Sequence, residues 1–477
     1  MNVTAAVFPL LVVVGGAILV LLLEAFRPRA DKTPLAMLAL AAVLGSAAAA
    51  VRLWGTGASA FGGMLRLDDA ALVFTMMFFV VVVFTILIAL RFLPRQNADF
   101  GEFYGLLLLA LAGLMIMVSS SHLIVILLGL ETVSVASYAL TGLKRDDDRA
   151  LEAAIKYFLM GSFASGFLVF GLALLFGTAR TLEIPALTAA FAAPDGVPLL
   201  GLAGLVLVLI GFAFKIALVP FHMWSPDVYQ GAPTPVAAFF TVGPKAAGFA
   251  VLFKLVAPYA PQALRSQKIL TVLGVLAAAS MLVGSLTALR QRNVKRMLAY
   301  SSIANAGYMM VAIVSGDGAG LMFFLAAYLF MSFGAFGSLI AMGGGGREHH
   351  ELEDFAGLGF RYPWIGALFS IFLIALAGFP PLAGFLAKYY VFSEAVRKGL
   401  LPLVLIGLLA SLISVFYYLR IIVFMYMREP ERDLELDVDH PALYLVLFLC
   451  LYGVLQLGLF PGNVLSVFRR ALGSLFL

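Results

Sequence analysis

The chain has 477 residues, of which 63% are apolar and 12% are charged, whereas soluble domains have roughly 45–50% apolar and about 25% charged residues. This composition excludes a soluble globular domain. The net charge of +5 is too small and too scattered along the sequence for a nucleic-acid-binding surface. A single cysteine, Cys450, excludes a disulfide framework and a cysteine-ligated metal or cluster.

Repeated apolar runs of about 20 residues predict an all-α polytopic membrane protein. The first run has no basic segment before it and no small-residue cleavage site after it, so we expect a retained span rather than a signal peptide. Fourteen spans are predicted, at residues 4–25, 33–53, 70–90, 102–119, 121–141, 151–176, 199–229, 233–257, 268–289, 297–315, 319–342, 363–396, 401–427 and 441–461.

Lysine and arginine are unevenly distributed between alternate loops. The loops after odd-numbered spans hold sixteen of them, the opposite side holds nine, and six lie within spans. Because the side richer in these residues usually stays in the cytoplasm, the odd-numbered loops are predicted to be cytoplasmic. Both termini are therefore predicted on the non-cytoplasmic side.

Spans seven (199–229) and twelve (363–396) have 31 and 34 residues, more than a straight helix needs to cross a hydrocarbon core of about 30 Å. Each contains proline near its middle, Pro220 in the first and Pro380 and Pro381 in the second. Proline opens a helix, and opened backbone is tolerated at membrane depth only where protein or water satisfies it. We therefore expect two broken helices at functionally important places.

The two breaks are 160 residues and five spans apart, which predicts a five-span unit repeated once. Because five is odd, the second copy is inverted. The segments are then an N-terminal three-helix segment (1–100), a first repeat (101–260), a second, inverted repeat (261–430) and a C-terminal helix (431–477). The alternative is that two proline-kinked helices arose by chance in a large bundle.

Three ionisable residues are predicted near the middle of their spans: Glu131 in the fifth, Lys215 in the seventh and Lys245 in the eighth. A lone charge there is expensive, so each needs a partner or a proton. A lysine binds a proton when its carboxylate partner approaches and releases the proton when the partner retreats, which predicts proton transfer. The alternatives are a static salt bridge for the lysines and, for Glu131, a carboxylate bonded to neighbours such as Thr132 and Ser134.

His222 follows Pro220 by two residues and falls in the opened stretch of span seven. Imidazole takes up and releases protons readily near neutral pH, so we expect His222 to relay a proton between Lys215 and Lys245. The alternative is a packing residue or a partner for the opened backbone.

Two further lysines extend this set. Lys388 lies two turns beyond the second break and is predicted to be the terminal proton-transfer group of the other half; the alternative is snorkelling toward the loop that holds Arg397. Lys156 follows Glu152 by four residues near the start of its span, which fits either proton uptake or relay or an ordinary helix-surface ion pair. Interfacial anchoring is expected for Lys254, Arg420 and His122.

Several motifs are absent. The sequence has no phosphate-binding loop, no dinucleotide fingerprint and no pair of intramembrane histidines spaced to ligate haem. The segment GGGGREHHELED (343–354) is predicted to be a solvated cytoplasmic loop, with a metal site at His349, His350 and Glu351 as the alternative. We expect a chain that moves ions, carries no electrons and holds no cofactor or metal.

Four segments together resemble one known family: GLE in the fifth span, FKIALVPFHMWSPDVYQGAPTPV around the seventh, PK in the eighth and FPPLAGFLAK in the twelfth. The chain resembles, over essentially its whole length, the antiporter-like subunits of proton-pumping NADH:quinone oxidoreductase, respiratory complex I. The resemblance implies inverted repeats at spans 4–8 and 9–13. It also implies that Glu131 is the family's fifth-helix glutamate, Lys215 its pumping lysine, Lys245 its eighth-helix lysine and Lys388 its twelfth-helix terminal residue.

The resemblance further implies a proton-translocating subunit of an enzyme complex in a bacterial inner (plasma) membrane, with no redox chemistry in this chain. NADH, FMN, iron–sulfur clusters and quinone would be used on other subunits. The partners implied are sister antiporter-like subunits and other membrane subunits, lipid, water and protons, and no nucleic acid. The alternatives are a subunit of a multisubunit sodium/proton antiporter or membrane-bound hydrogenase, a substrate-binding secondary transporter, and a structural scaffold subunit.

Overall fold

A computed structural model of the chain describes residues 3–26, 31–191, 198–256, 267–344, 348–430, 436 and 441–473. Of the loop cations counted in the sequence, Arg27, Arg29, Arg265, Arg347 and Arg432 lie outside these residues. Within them, twelve helices are long and apolar enough to cross a membrane. Two further crossings each consist of two shorter helices around a break.

In chain order the helices are α1 (Val3–Phe26), α2 (Thr33–Val51), α3 (Asp69–Arg95), α4 (Glu102–Ser119), α5 (Leu123–Thr141), α6 (Asp148–Ala179), α7 (Ile184–Phe191), α8 (Leu199–Lys215), α9 (Trp224–Gly231), α10 (Thr234–Val256), α11 (Gln267–Ala288), α12 (Val294–Ser315), α13 (Gly318–Ala341), α14 (Leu358–Arg361), α15 (Pro363–Ala377), α16 (Ala383–Arg397), α17 (Leu401–Met427), α18 (Pro441–Leu459) and α19 (Gly462–Gly473). An antiparallel hairpin of β1 (Ala58–Ala60) and β2 (Leu65–Leu67) joins α2 to α3, with Ala58 opposite Leu67.

The prediction of an all-helical membrane protein with about fourteen crossings is confirmed. Helices α8 and α9 form the seventh crossing, and α15 and α16 form the twelfth. The hairpin and the short helices α7, α14 and α19 were not predicted, because each is too short to produce a hydrophobic run of membrane length.

The centre of the bundle is formed by α10, α12 and α13. The most apolar window of α10 is completely buried, and those of α12 and α13 are 94% and 89% buried. In contrast, α1 and α6 bury only 28% and 33% of theirs and turn apolar side chains outward. Residues carried on α10 and α12 are thus shielded by protein on all sides.

Glycine permits two of the closest helix contacts. Gly113 of α4 faces Gly129 of α5, and a Cβ atom at Gly113 would meet the Gly129 carbonyl oxygen at 2.6 Å. Gly171 of α6 and Gly204 of α8 face each other in the same manner. Small residues at helix crossings let backbones approach closely in membranes, and these two contacts hold α4 against α5 and α6 against α8.

Loops after alternate crossings gather at opposite ends of the bundle. At one end the α5–α6 loop contacts the α3–α4 loop through Lys144 and Gln96, at 3.0 Å between Nζ and Oε1. At the other end Ser120, after α4, bridges to Leu65 of the hairpin. The chain therefore crosses the bundle in alternating directions, as the span count predicts.

Candidate functional site

The first break lies between α8, which ends at Lys215, and α9, which begins at Trp224. Side chains satisfy part of the opened backbone. The Trp224 indole N–H donates to the Phe214 carbonyl oxygen at 3.0 Å, and the Val219 N–H donates to the Ser280 hydroxyl at 3.0 Å. The opened helix end therefore has its own hydrogen-bond partners, which leaves the Lys215 ammonium group free for other contacts.

Pro220 is exposed on the outside of the break, and His222 beside it is half-buried. The Nδ1 atom of His222 is buried, and no described residue forms a hydrogen bond with it. Among the described residues, His222 forms no hydrogen bond or ion pair with Lys215 or Lys245. No direct contact with either lysine in the described part of the chain supports the relay role of His222, which stays a prediction.

Lys215 is 3% exposed and donates from Nζ to the Ser134 hydroxyl of α5 at 3.0 Å. Its ammonium group lies 6.0 Å from the centre of the Tyr157 ring. Glu131 lies one helical turn before Ser134 but forms no direct ion pair with Lys215 in the described part of the chain. Glu131 therefore acts on Lys215 electrostatically and not through a shared hydrogen bond.

Glu131 accepts a hydrogen bond from the Ser165 hydroxyl of α6 at 2.5 Å. The hydroxyls of Thr132 and Ser134 instead donate to carbonyls of their own helix, those of Leu128 and Leu130. The alternative in which Thr132 and Ser134 hold the carboxylate is therefore wrong, because helix geometry directs both hydroxyls to the preceding turn.

Lys245 lies at the middle of α10 and is 1% exposed. Its Nζ atom donates to the hydroxyl of Ser302 on α12 and, at 3.2 Å, to the Ser302 carbonyl oxygen. The Tyr229 hydroxyl of α9 lies 3.4 Å from the same Ser302 hydroxyl. No carboxylate among the described residues pairs with Lys245, so its charge is held only by neutral oxygens and the Tyr229 ring, 5.9 Å away.

Lys388 lies on α16, beyond the second break. Its Nζ atom donates to the carbonyl oxygens of Ala377 at 2.9 Å and Leu376 at 3.4 Å, and to the Ser411 hydroxyl at 2.9 Å. Ala377 is the last residue of α15, and the free carbonyls at a helix C-terminus attract cations. Lys388 thus turns back toward the break, and the alternative of snorkelling toward Arg397 is wrong.

The three buried lysines share one environment. Each meets one serine hydroxyl, and each lies 5.0–6.0 Å from the centre of one tyrosine ring. The triplets are Lys215 with Ser134 and Tyr157, Lys245 with Ser302 and Tyr229, and Lys388 with Ser411 and Tyr308. A ring face stabilises an ammonium ion, and each serine oxygen accepts a hydrogen bond from the lysine, so each ammonium group is held by neutral partners.

Lys156 is 45% exposed and belongs to a surface network instead. It pairs with Glu152 at 2.7 Å, as its spacing predicted, and with Asp227 of α9 at 3.0 Å. Asp227 in turn pairs with Arg296 of α12 at 2.6 Å. This network ties α6, α9 and α12 together but does not contact the buried lysines.

Lys254 does not behave as an interfacial anchor, and that expectation is wrong. It is 9% exposed, and its Nζ atom donates to the carbonyl oxygens of Val118 and, at 3.2 Å, of Ser120 at the end of α4. A position near the end of a span does not reveal that another helix end covers it. Arg420 lies within α17 and donates to the carbonyl oxygens of Leu289 and Gln291, just beyond the end of α11.

The side chains of Glu348 and His350 are only 13% and 14% exposed. The Glu348 carboxylate accepts from Lys144 at 2.5 Å, Thr234 at 2.6 Å, His350 at 2.5 Å and Lys295 at 3.4 Å. Burial alone raises the pKa of a carboxyl, but Lys295, His350 and Lys144 together hold the pKa of Glu348 well below its usual range. We call these five residues the Glu348 cluster. The prediction of a solvated loop is wrong for Glu348 and His350, because three elements distant in sequence supply Lys144, Thr234 and Lys295 as partners.

Within the described ranges, no three His, Cys, Asp or Glu side chains lie close enough together to hold a metal ion. The polar groups buried in the membrane-spanning part are suited instead to binding and releasing protons.

Comparison with known proteins gives a consistent result. Residues 120–414 match the family model described as "NADH:quinone oxidoreductase/Mrp antiporter, TM". The NADH-quinone oxidoreductase subunit N of Trichlorobacter lovleyi is 41% identical over 469 residues, covering 97% of this chain and 95% of that protein. A chain of respiratory complex I from Thermus thermophilus superposes with a TM-score of 0.83 at 34% identity, covering 96% of this chain and 98% of that one. A chain of the Mrp complex from Dietzia has the same fold at 20% identity, with a TM-score of 0.84 over 100% of this chain and 98% of that chain.

Proposed function

The chain belongs to the family of NADH:quinone oxidoreductase/Mrp antiporter membrane subunits, and from this premise we propose that it is the proton-translocating subunit N of a NADH:quinone oxidoreductase, respiratory complex I. The identity of 41% to a subunit N along 97% of the chain favours complex I over an Mrp-type antiporter, for which the resemblance lies in the fold. It is then a subunit of a translocase and performs no redox chemistry itself.

The observation that carries this proposal is the repeated triplet of a buried lysine, a serine hydroxyl and a tyrosine ring. Lys215 additionally has the Glu131 carboxylate nearby on the helix that supplies Ser134. An approaching carboxylate favours the ammonium form of Lys215, and its retreat favours release of the proton. Among the described residues no carboxylate pairs with Lys245 or Lys388, and these two lysines receive or pass a proton as their neighbours change charge.

In this mechanism a proton moves between Lys215, Lys245 and Lys388 through His222 and intervening water. Protonation of one site disfavours protonation of the next by like-charge repulsion. The two breaks, at Pro220 and at Pro380 and Pro381, supply polar backbone for such water at membrane depth. Lys156, with its exposed ion pairs, is the proposed site of uptake or relay.

The repeat architecture and the orientation belong to the same proposal. Residues 101–260 and 261–430 form the two inverted five-helix repeats, 1–100 the N-terminal segment and 431–477 the C-terminal part. The protein lies in a bacterial plasma membrane with both termini on the non-cytoplasmic side. NADH, FMN, iron–sulfur clusters and quinone act on other subunits, and sister antiporter-like subunits are neighbours in the membrane.

The test is the variant Lys215→Ala in the intact complex, reconstituted in lipid vesicles. We expect normal assembly, with NADH-driven proton pumping lost or strongly reduced. Lys398→Ala is the matched control, since that lysine is 58% exposed in a loop and outside the lysine set. Wild-type pumping by an assembled Lys215→Ala complex would show that the subunit acts only as a scaffold.

A further inference from the structure

The Glu348 cluster lies at the end of the bundle where α10 and α12 begin. Thr234 is the first residue of α10, and Lys295 is the second residue of α12. These are the two helices whose residues Lys245 and Ser302 bond to each other. The cluster therefore lies at the common end of the two helices that build the Lys245 site.

The distance from the cluster to that site is short. Ser302 follows Lys295 by seven residues, which is about 10 Å along a helix, and Lys245 follows Thr234 by eleven, which is about 16 Å. Because α10 is buried along its length, a proton approaching Lys245 along this helix must come from one of its ends. The Glu348 cluster covers one of those ends.

Within the cluster, His350 has the geometry of an oriented base. Its Nε2 atom lies 2.5 Å from a Glu348 carboxylate oxygen, and its backbone carbonyl oxygen accepts from the Val294 N–H at 2.7 Å. Its Nδ1 atom is buried, and no described residue forms a hydrogen bond with it. A ring held by a carboxylate at one nitrogen with the other nitrogen unpartnered is suited to accept a proton. A buried polar atom without a hydrogen-bond partner is explained either by a role in proton transfer or by a bound water molecule.

We propose that His350 is the proton-accepting group at the cytoplasmic entrance to the Lys245 site and that Glu348 is its positioning residue. This proposal rests on the proposed function and on the orientation that places this end of the bundle in the cytoplasm. An N–H bond forms at Nδ1 as an O–H bond of a hydronium ion breaks and leaves a water molecule, while the Glu348 carboxylate keeps its hydrogen bond with Nε2 of the charged ring. The bond breaks when the proton passes through water to neutral Lys245, and the imidazole returns to its starting state.

The other groups of the cluster contact Glu348, the partner of His350, and come from several elements. Lys144 belongs to the α5–α6 loop, Lys295 to α12 and Thr234 to α10, and Asp147 acts electrostatically on Lys295. None of these is an imidazole. If the pH dependence of proton pumping changes when His350 is substituted, that dependence is therefore assigned to His350 itself.

The chain offers a matched pair of variants, because His349 precedes His350 and does not belong to the cluster. We expect the intact complex with His350→Gln to pump fewer protons per electron than wild type. The deficit grows as the pH rises from about 6 to about 8.5 and reaches roughly threefold, because proton supply becomes limiting where no imidazole collects protons. His349→Gln is expected to follow wild type. Wild-type pumping by His350→Gln over the whole pH range would overturn the proposal.

The positioning role of Glu348 is tested by Glu348→Gln alone and combined with His350→Gln. We expect the single variant to shift the pH profile in the same direction, and the double variant to pump no worse than His350→Gln, because Glu348 acts through His350. Additive losses would contradict this role. If Glu348→Gln prevents assembly, Thr234→Val removes one donor without changing any charge, and a wild-type pH profile for that variant would equally contradict it.

These results are separable from the proposed function. Normal pumping by Lys215→Ala would contradict the function as a whole. Loss of pumping in Lys215→Ala together with a wild-type pH profile in His350→Gln would contradict only the uptake proposal.

Discussion

In the seventh crossing the lysine precedes the break, whereas in the twelfth it follows the break. Lys215 ends α8 and contacts Ser134, while the Trp224 indole satisfies the opened carbonyl of Phe214. Lys388 itself satisfies the opened carbonyls of α15, including that of Ala377. At the first break, one residue, Trp224, bonds to the opened backbone and another, Lys215, carries the charge. At the second break, Lys388 does both.

This difference has a consequence for function. Lys215 can lose its proton without leaving the α8 carbonyls unpaired, since the indole holds one of them. A neutral Lys388 amine retains two hydrogens for the α15 carbonyls but loses the charge that they favour. We infer that Lys215 is the more readily switched group and that Lys388 is more tightly coupled to the backbone around its break.

The largest effect is expected from Glu131→Gln, which removes the carboxylate near Lys215; in the described part of the chain no carboxylate pairs with Lys388 at the second break. A nearby carboxylate favours the ammonium form of a lysine, and a change of about 1.4 kcal/mol in that preference is a tenfold change in an equilibrium. We expect the variant to assemble but to lose about tenfold or more of its proton pumping, measured in reconstituted vesicles. Thr132→Val is the control. Wild-type pumping by assembled Glu131→Gln would remove Glu131 from the mechanism.

Lys388→Met should reduce stability more than Lys215→Met. Methionine keeps an apolar stem but leaves the carbonyls of Leu376 and Ala377 without their donor, at a cost of about 1–3 kcal/mol. In Lys215→Met the Ser134 hydroxyl still donates to the Leu130 carbonyl, so no buried group loses its only partner. Thermal inactivation of the purified complexes measures the difference. Equal stability of the two variants would contradict the separate roles assigned to these lysines.

Trp224→Phe tests the backbone partner at the first break. It removes the N–H that bonds to Phe214 and keeps an aromatic ring to stack on Tyr157, whose ring lies 4.5 Å away in wild type. We expect a loss of about 1 kcal/mol in stability, with pumping largely retained. Strong loss of pumping at unchanged stability would mean that Trp224 takes part in proton transfer.

The smallest effect is expected from Lys156→Gln. Exposed ion pairs contribute about 0–1 kcal/mol, and Lys156 is 45% exposed with partners that retain other contacts. If Lys156 serves only this network, stability and pumping should both stay close to wild type. A severalfold loss of pumping would support its proposed uptake or relay role.

Sequence patterns predicted the helical class, the number of crossings and the two broken helices, because hydropathy and proline act locally. They did not predict the partners of Lys388 or the burial of Lys254, since both depend on helix ends that only the folded bundle brings together. The Glu348 cluster was missed because a run of charged residues normally indicates a solvated loop. Its one sequence signal was a glutamate beside two histidines at the end of a glycine run.

We infer that the two breaks belong to one hydrated path along the membrane plane. The most direct test is a structure of the intact complex at a resolution that shows water. It should give the depth of the side-chain nitrogens of Lys215, His222, Lys245 and Lys388 along the membrane normal. We predict that all four lie within about half of the roughly 30 Å hydrocarbon core and are connected by ordered water. A wider spread in depth, or dry apolar layers between these residues, would contradict the account.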